Sequence, residues 1–75
     1  MSGDARVALA ERVLAGHGVA GATVDAEGPE REIAAIRVPA EDWARLMGPE
    51  GARIADEVKA AGFRYVALDL LPAAG

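Results

Sequence analysis

The sequence predicts a small α+β domain, and three observations carry that prediction. Helix-period and strand-period patterns follow one another in the order α-β-β-α-α-β. Glycine or proline stands at the changes of pattern. The run Gly48 to Leu71, GPEGARIADEVKAAGFRYVALDLL, passes from helix stop to helix, cap and apolar strand without a gap. The expected architecture is a three-stranded mixed sheet with helices on one face, ferredoxin-like but lacking the first strand. One domain spans residues 1–75, with 1–3 and 72–75 expected as frayed tails.

Good helix formers run from about Asp4 to Ala15, with Ser2 or Asp4 available as N-cap. Leu9 with Val13, and Val7 with Leu14, mark an apolar side, and Arg6, Glu11 and Arg12 a wet one. Gly16 or Gly18 terminates the helix. Val19 to Ala26 and Glu30 to Val38 read as strands joined by Ala26-Glu27-Gly28-Pro29-Glu30, a reversal signal. Ala34, Ile36 and Val38 share one face of the second strand, with Glu32 at its edge. Pro39 cannot donate to a ladder and ends it. A short helix over Ala40 to Met47 is expected to press Trp43, Leu46 and Met47 onto the sheet. Pro49 suits the first turn of the next helix, whose stripe is Ile54, Val58 and Ala61. Gly62 then ends that helix, and Phe63 is placed to pack back on Val58 as in a Schellman cap. Arg64–Leu70 is expected as a buried strand, with Val66, Leu68 and Leu70 on one face and Tyr65, Ala67 and Asp69 on the other. The helical connection between strands two and three favours parallel pairing. The absent first strand leaves the last strand, or the slot beside it, as an apolar edge.

Composition removes several function classes. The net charge is −4, and the eight basic residues are scattered singly, which argues against nucleic-acid binding. No apolar run approaches the roughly 20 residues of a membrane helix, and no signal-peptide pattern opens the chain. A cytoplasmic location is therefore expected. With no cysteine there is no disulfide, thiolate zinc site, cysteine nucleophile or cysteine-derived sulfur donor. Much of the 52% hydrophobic content is alanine, and Trp43, Phe63 and Tyr65 are the only aromatics, so the core is thin. A core of that size supplies about 3–5 kcal/mol, and homo-oligomerisation is the expected supplement.

Few residues offer chemistry. Gly16-His17-Gly18-Val19-Ala20-Gly21 matches G-x-G-x-x-G, but it follows a helix and opens a strand, the reverse of a dinucleotide site. It reads as a cap and turn. His17, the single histidine, is expected at an exposed cap, where imidazole interacts with the helix C-terminus. Asp69 interrupts an apolar strand: on an open sheet face it lies in solvent beside Tyr65, and on a covered one it needs Arg37 or Arg64. Glu41-Asp42 and Asp56-Glu57 read as a helix first turn and a solvated face. No metal site and no cofactor is expected. An enzyme using Asp69 or His17 as base lacks a second group at recognisable spacing.

Ala60-Ala61-Gly62-Phe63-Arg64-Tyr65-Val66-Ala67-Leu68-Asp69-Leu70 resembles the end of the C-terminal domain of the sacrificial sulfur transferases that help build the nickel-pincer cofactor of lactate racemase. Ala35-Ile36-Arg37-Val38-Pro39-Ala40-Glu41-Asp42-Trp43-Ala44-Arg45-Leu46 is similar to that domain's strand, proline and short helix. Where the family continues with an aromatic residue and an Arg-Ser-Gly-Ser-like segment, this chain has Leu71-Pro72-Ala73-Ala74-Gly75. In the family, the ATP-binding loop and the sulfur-supplying residue lie in a preceding domain. The resemblance thus implies a non-catalytic accessory or oligomerisation module whose partner is a separately encoded ATP-using sulfur transferase. The competing expectation is a stand-alone small-ligand sensor with its site between subunits. Asp69, Tyr65, Arg64, Arg37 and His17 are the candidate ligand or interface residues; none is assigned as catalytic.

Overall fold

Ala34, Ile36 and Val38, alternate residues of one strand, are almost completely excluded from solvent, and the other elements are arranged around them. A computed structural model describes residues 4–19 and 21–70. Its elements are α1 (Ala5–Gly16), β1 (Thr23–Glu27), β2 (Ile33–Val38), α2 (Ala40–Met47), α3 (Pro49–Ala60) and β3 (Tyr65–Leu70), the order expected. β2 is central, antiparallel to β1 and parallel to β3. The sheet is mixed and three-stranded, and β2 and β3 are bonded directly, with no slot between them. The proposed N-cap Ser2, both tails and the segment after Leu70 lie outside the described residues.

Strand alternation sorts the sheet into two faces. In register, Val24 and Leu68 flank Ile36, and Ala26 and Val66 flank Ala34. These side chains meet Ala10 and Leu14 of α1, Leu46 and the half-buried Trp43 of α2, and Ile54 and Val58 of α3. Leu14, Ile36 and Ile54 are the largest fully buried side chains, each contributing about 1.5–3 kcal/mol of burial. In α1 the buried stripe is Ala10 and Leu14 with Val7 and Val13 beside it, and Leu9 faces water.

Both long helices end on a glycine with positive φ. After α1, the Gly18 N–H bonds the Ala15 carbonyl and the Val19 N–H bonds that of Leu14, a Schellman pair that seats Val19 beside Leu14 in the core. Val19 is thereby committed to the cap, and β1 begins at Thr23 rather than at Val19. After α3, Gly62 adopts φ +125°, where a side chain would be strained. Here the N–H groups of Gly62 and Phe63 both bond the Lys59 carbonyl, so the outer Schellman bond to Val58 is absent. Phe63 is nevertheless buried in one cluster with Val58. The Glu32 carbonyl accepts from the N–H groups of Arg64 and Tyr65, which starts β3 on β2.

Two expectations about packing change. Met47 is 61% exposed: it is the last residue of α2, one turn beyond a Trp43 that is itself only half-buried. β3, expected as a buried strand, contains no buried residue: it is an edge strand whose Val66 and Leu68 pack only partly against the core. The α2–α3 corner is closed by Gly51, where an added Cβ would collide with the Leu46 carbonyl oxygen, a contact no side chain permits.

Candidate functional site

The face of the sheet opposite the helices carries most of the candidate residues. Its three rows are Thr23, Arg37 and Asp69; Asp25, Ala35 and Ala67; and Glu27, Ile33 and Tyr65. Arg37 reaches across to β1, donating to Asp25 Oδ2 at 2.6 Å and Glu27 Oε2 at 3.4 Å. Asp69 lies in the same row as Arg37, yet its Oδ1 accepts from the Leu70 N–H at 2.9 Å. Two carboxylates draw the guanidinium one way, and Asp69 stands in solvent, as strand alternation predicts for an open face. Tyr65 is 55% exposed on the same face. Tyr65 and Asp69 are four positions apart, about 13 Å along the strand, so the two do not converge on one reacting atom. Arg64 is exposed just before β3 and makes no ion pair with Asp69.

His17 belongs to a different place. It is the C-cap of α1, as expected, but its ring is held rather than free: the side chain is 18% exposed. Nδ1 lies 3.1 Å from Glu50 Oε2 and Nε2 lies 3.1 Å from Glu57 Oε1, while Arg45 Nη1 donates to the His17 carbonyl at 2.9 Å. Glu50 and Glu57 are seven residues apart, two turns along one side of α3. An imidazole that donates from both nitrogens is an imidazolium. The hydrogen bond to Glu57, then that to Glu50, accordingly raises the His17 pKa above its ordinary 6.5. The ring sits between the two carboxylates instead of joining them around a common centre. Among the described residues no group of three His, Asp or Glu side chains is placed to hold a metal ion. The sequence reading missed both glutamates, leaving Glu57 on a solvated face and Glu50 without a role beside His17; their heptad spacing was the available signal.

A third polar cluster ties the ends of the chain's helices together. Asp4 caps α1 by accepting from the Arg6 N–H at 3.0 Å, and it also takes Arg6 Nη2 at 2.6 Å. These bonds from Arg6 pull the Asp4 pKa down to about 2. The same guanidinium donates through Nη1 to the Gly62 carbonyl at 3.0 Å and stands 4.6 Å from the Phe63 ring centroid. Arg6, expected only to wet the surface, therefore latches α1 to the α3–β3 turn.

Of the five candidates, Arg37, Tyr65 and Asp69 share the open face, Arg64 borders it, and His17 is bound to the helical layer. No protein-family model matches this sequence, and no curated protein matches it. The likeness to the sulfur transferase domain rests on the residues quoted above.

Proposed function

We propose that this chain is a non-catalytic accessory module that acts by association, with a separately encoded ATP-using sulfur transferase as its partner and with itself as a homo-oligomer. The observation that supports this reading is the sheet: helices cover one face, while among the described residues nothing covers the other face or the β3 edge, and Tyr65 and Leu70 are 55% and 46% exposed. Exposed apolar surface beside a free strand edge favours binding another polypeptide. A thin core gains from it as well, since whatever binds only the folded chain stabilises it by mass action. The resemblance names the partner class, and the absence of cysteine leaves sulfur donation to that partner.

Light scattering on the eluting protein tests the proposal, first for the chain alone from micromolar to millimolar concentration, then mixed with a purified ATP-binding domain of a sulfur transferase. The expected results are a molar mass above the 7.7 kDa of one chain and co-elution with that domain. A chain that stays monomeric throughout and elutes apart from the domain overturns the reading. A melting temperature raised by a metabolite in such a monomer would favour the sensor.

A further inference from the structure

The two edges of the sheet are finished differently. At β1, the Val24 N–H is taken by Glu11 Oε2 of α1 at 3.4 Å, and Asp25 and Glu27 add two more carboxylates. A helix side chain and like charges thus guard that edge against an incoming strand. The β3 segment Tyr65–Leu70 is less defended: it contains no lysine, proline or glycine, and its single charged residue, Asp69, stands next to its end. Among the described residues, the one side-chain bond to its backbone comes from its own Asp69, to the Leu70 N–H.

We propose that β3 pairs antiparallel with β3 of a second copy about a twofold axis through Ala67, joining two three-stranded sheets into one of six strands. This rests on the reading that the chain acts by association, and it names the surface. A twofold axis perpendicular to the sheet keeps both helical layers on one side. Residues that face each other must then share a face, so the axis passes through a residue and not between two. Centred on Ala67, the pairing is self-complementary. On the open face, Tyr65 lies opposite Asp69 of the partner subunit, twice by symmetry, so that a phenol donor meets a carboxylate acceptor. On the helical face, Val66 lies opposite Leu68 of the partner subunit, continuing the apolar layer that each sheet already has. At the axis two alanines meet, small enough for close approach. Pairing β3 with β1 of another copy instead would be a head-to-tail contact, repeated into a ring or an open chain of subunits, and the Glu11 guard opposes it.

The chain has no cysteine, so single substitutions report the geometry cleanly. Directly opposed residues of an antiparallel pair have Cα atoms about 4.5–5.5 Å apart, within the range a disulfide spans. Ala67→Cys is exposed on the open face and leaves the core intact. Under mild oxidation it is expected to form a covalent dimer at least tenfold faster than Thr23→Cys on the β1 edge. Leu68→Cys tests the neighbouring register. Ala67→Lys, which sets two ammonium groups face to face, is expected to shift the molar mass toward the monomer with the circular dichroism spectrum unchanged. Crosslinking of A67C no faster than T23C, faster crosslinking of L68C, or an undiminished mass for A67K overturns the proposal. If the wild-type chain is still oligomeric in those cases, association occurs through another surface and the module reading stands. A wild-type chain monomeric at every concentration overturns the β3 pairing, and co-elution with the transferase domain then decides the module reading alone.

Discussion

Along β2, Ala34, Ile36 and Val38 are sealed beneath three helices, while Ile33, Ala35 and Arg37, one residue out of step, belong to a face that no helix covers among the described residues. The covered face is apolar in every row, and the side chains that fill it come from all six elements. The open face mixes an ion-paired arginine and three carboxylates with two alanines, Ile33 and Tyr65. Alternation at period two therefore divides the labour: residues of one parity hold the domain together, and their immediate neighbours are free to serve contact with something else. Substitutions on the two faces should separate the two roles.

The largest separation is expected at the α3–β3 turn. Phe63→Ala removes a buried ring, together with the cation–π contact from Arg6. Emptying such a site costs about 3–5 kcal/mol, close to all that a core of this size supplies. Urea titration followed by circular dichroism should find F63A largely unfolded without denaturant, and Phe63→Leu folded with a smaller loss. Tyr65→Ala, two residues later but on the open face, should stay within about 0.5 kcal/mol of wild type. Overlapping melting curves for F63A and wild type would erase the distinction between the faces.

A smaller effect, readable through pH, tests whether the helical layer is also held by charge. His17 has a folded-state pKa raised above 6.5 by Glu57 and Glu50. Its stabilisation is complete below the unfolded value and is lost as pH rises through the folded one. The melting temperature should thus fall as pH climbs from about 6.5 through the raised value, and His17→Gln should flatten that limb. A limb equally steep in H17Q would show that the two glutamates do not hold the ring in solution. Arg45 belongs in the same account, because its guanidinium bonds the His17 carbonyl at the helix end and remains when the ring is replaced.

The elements were legible in the sequence because their signals are local. Pro49, Gly62 and the alternation Val66, Leu68, Leu70 each act within a few residues, and α2 spans the residues expected. Contacts between elements were not legible in the same way. Val19 has strand propensity, yet its N–H is claimed by the Leu14 carbonyl five residues earlier. Met47 fits the apolar spacing of α2 but lies past the end of what that helix covers. Asp69 could be placed in solvent from alternation alone, once one face of the sheet is open. The ring of His17 could not be placed, because Glu50 and Glu57 come from a helix more than thirty residues away. Arg6 likewise looks like a surface cation until Gly62 and Phe63 are folded against it.

The smallest expected effect sharpens the comparison from the other side. Arg37 holds Asp25 at 2.6 Å and Glu27 at 3.4 Å, with its own side chain 36% exposed and the two acids more so. Ion pairs in that setting contribute about 0–1 kcal/mol, since water screens the charges and three side chains lose freedom. Arg37→Ala should therefore lower stability by less than about 1 kcal/mol, and by less still in high salt. Its larger consequence falls on charge, because removing the one cation of the rows leaves Asp25, Glu27 and Asp69 unopposed. If β3 pairs across a twofold axis, R37A chains should associate more weakly at low salt and recover as salt is added, with the melting curve of the monomer hardly moved. A loss of several kcal/mol in R37A would instead mean that the open face shares in holding the fold, and the division between the two parities of β2 would fail.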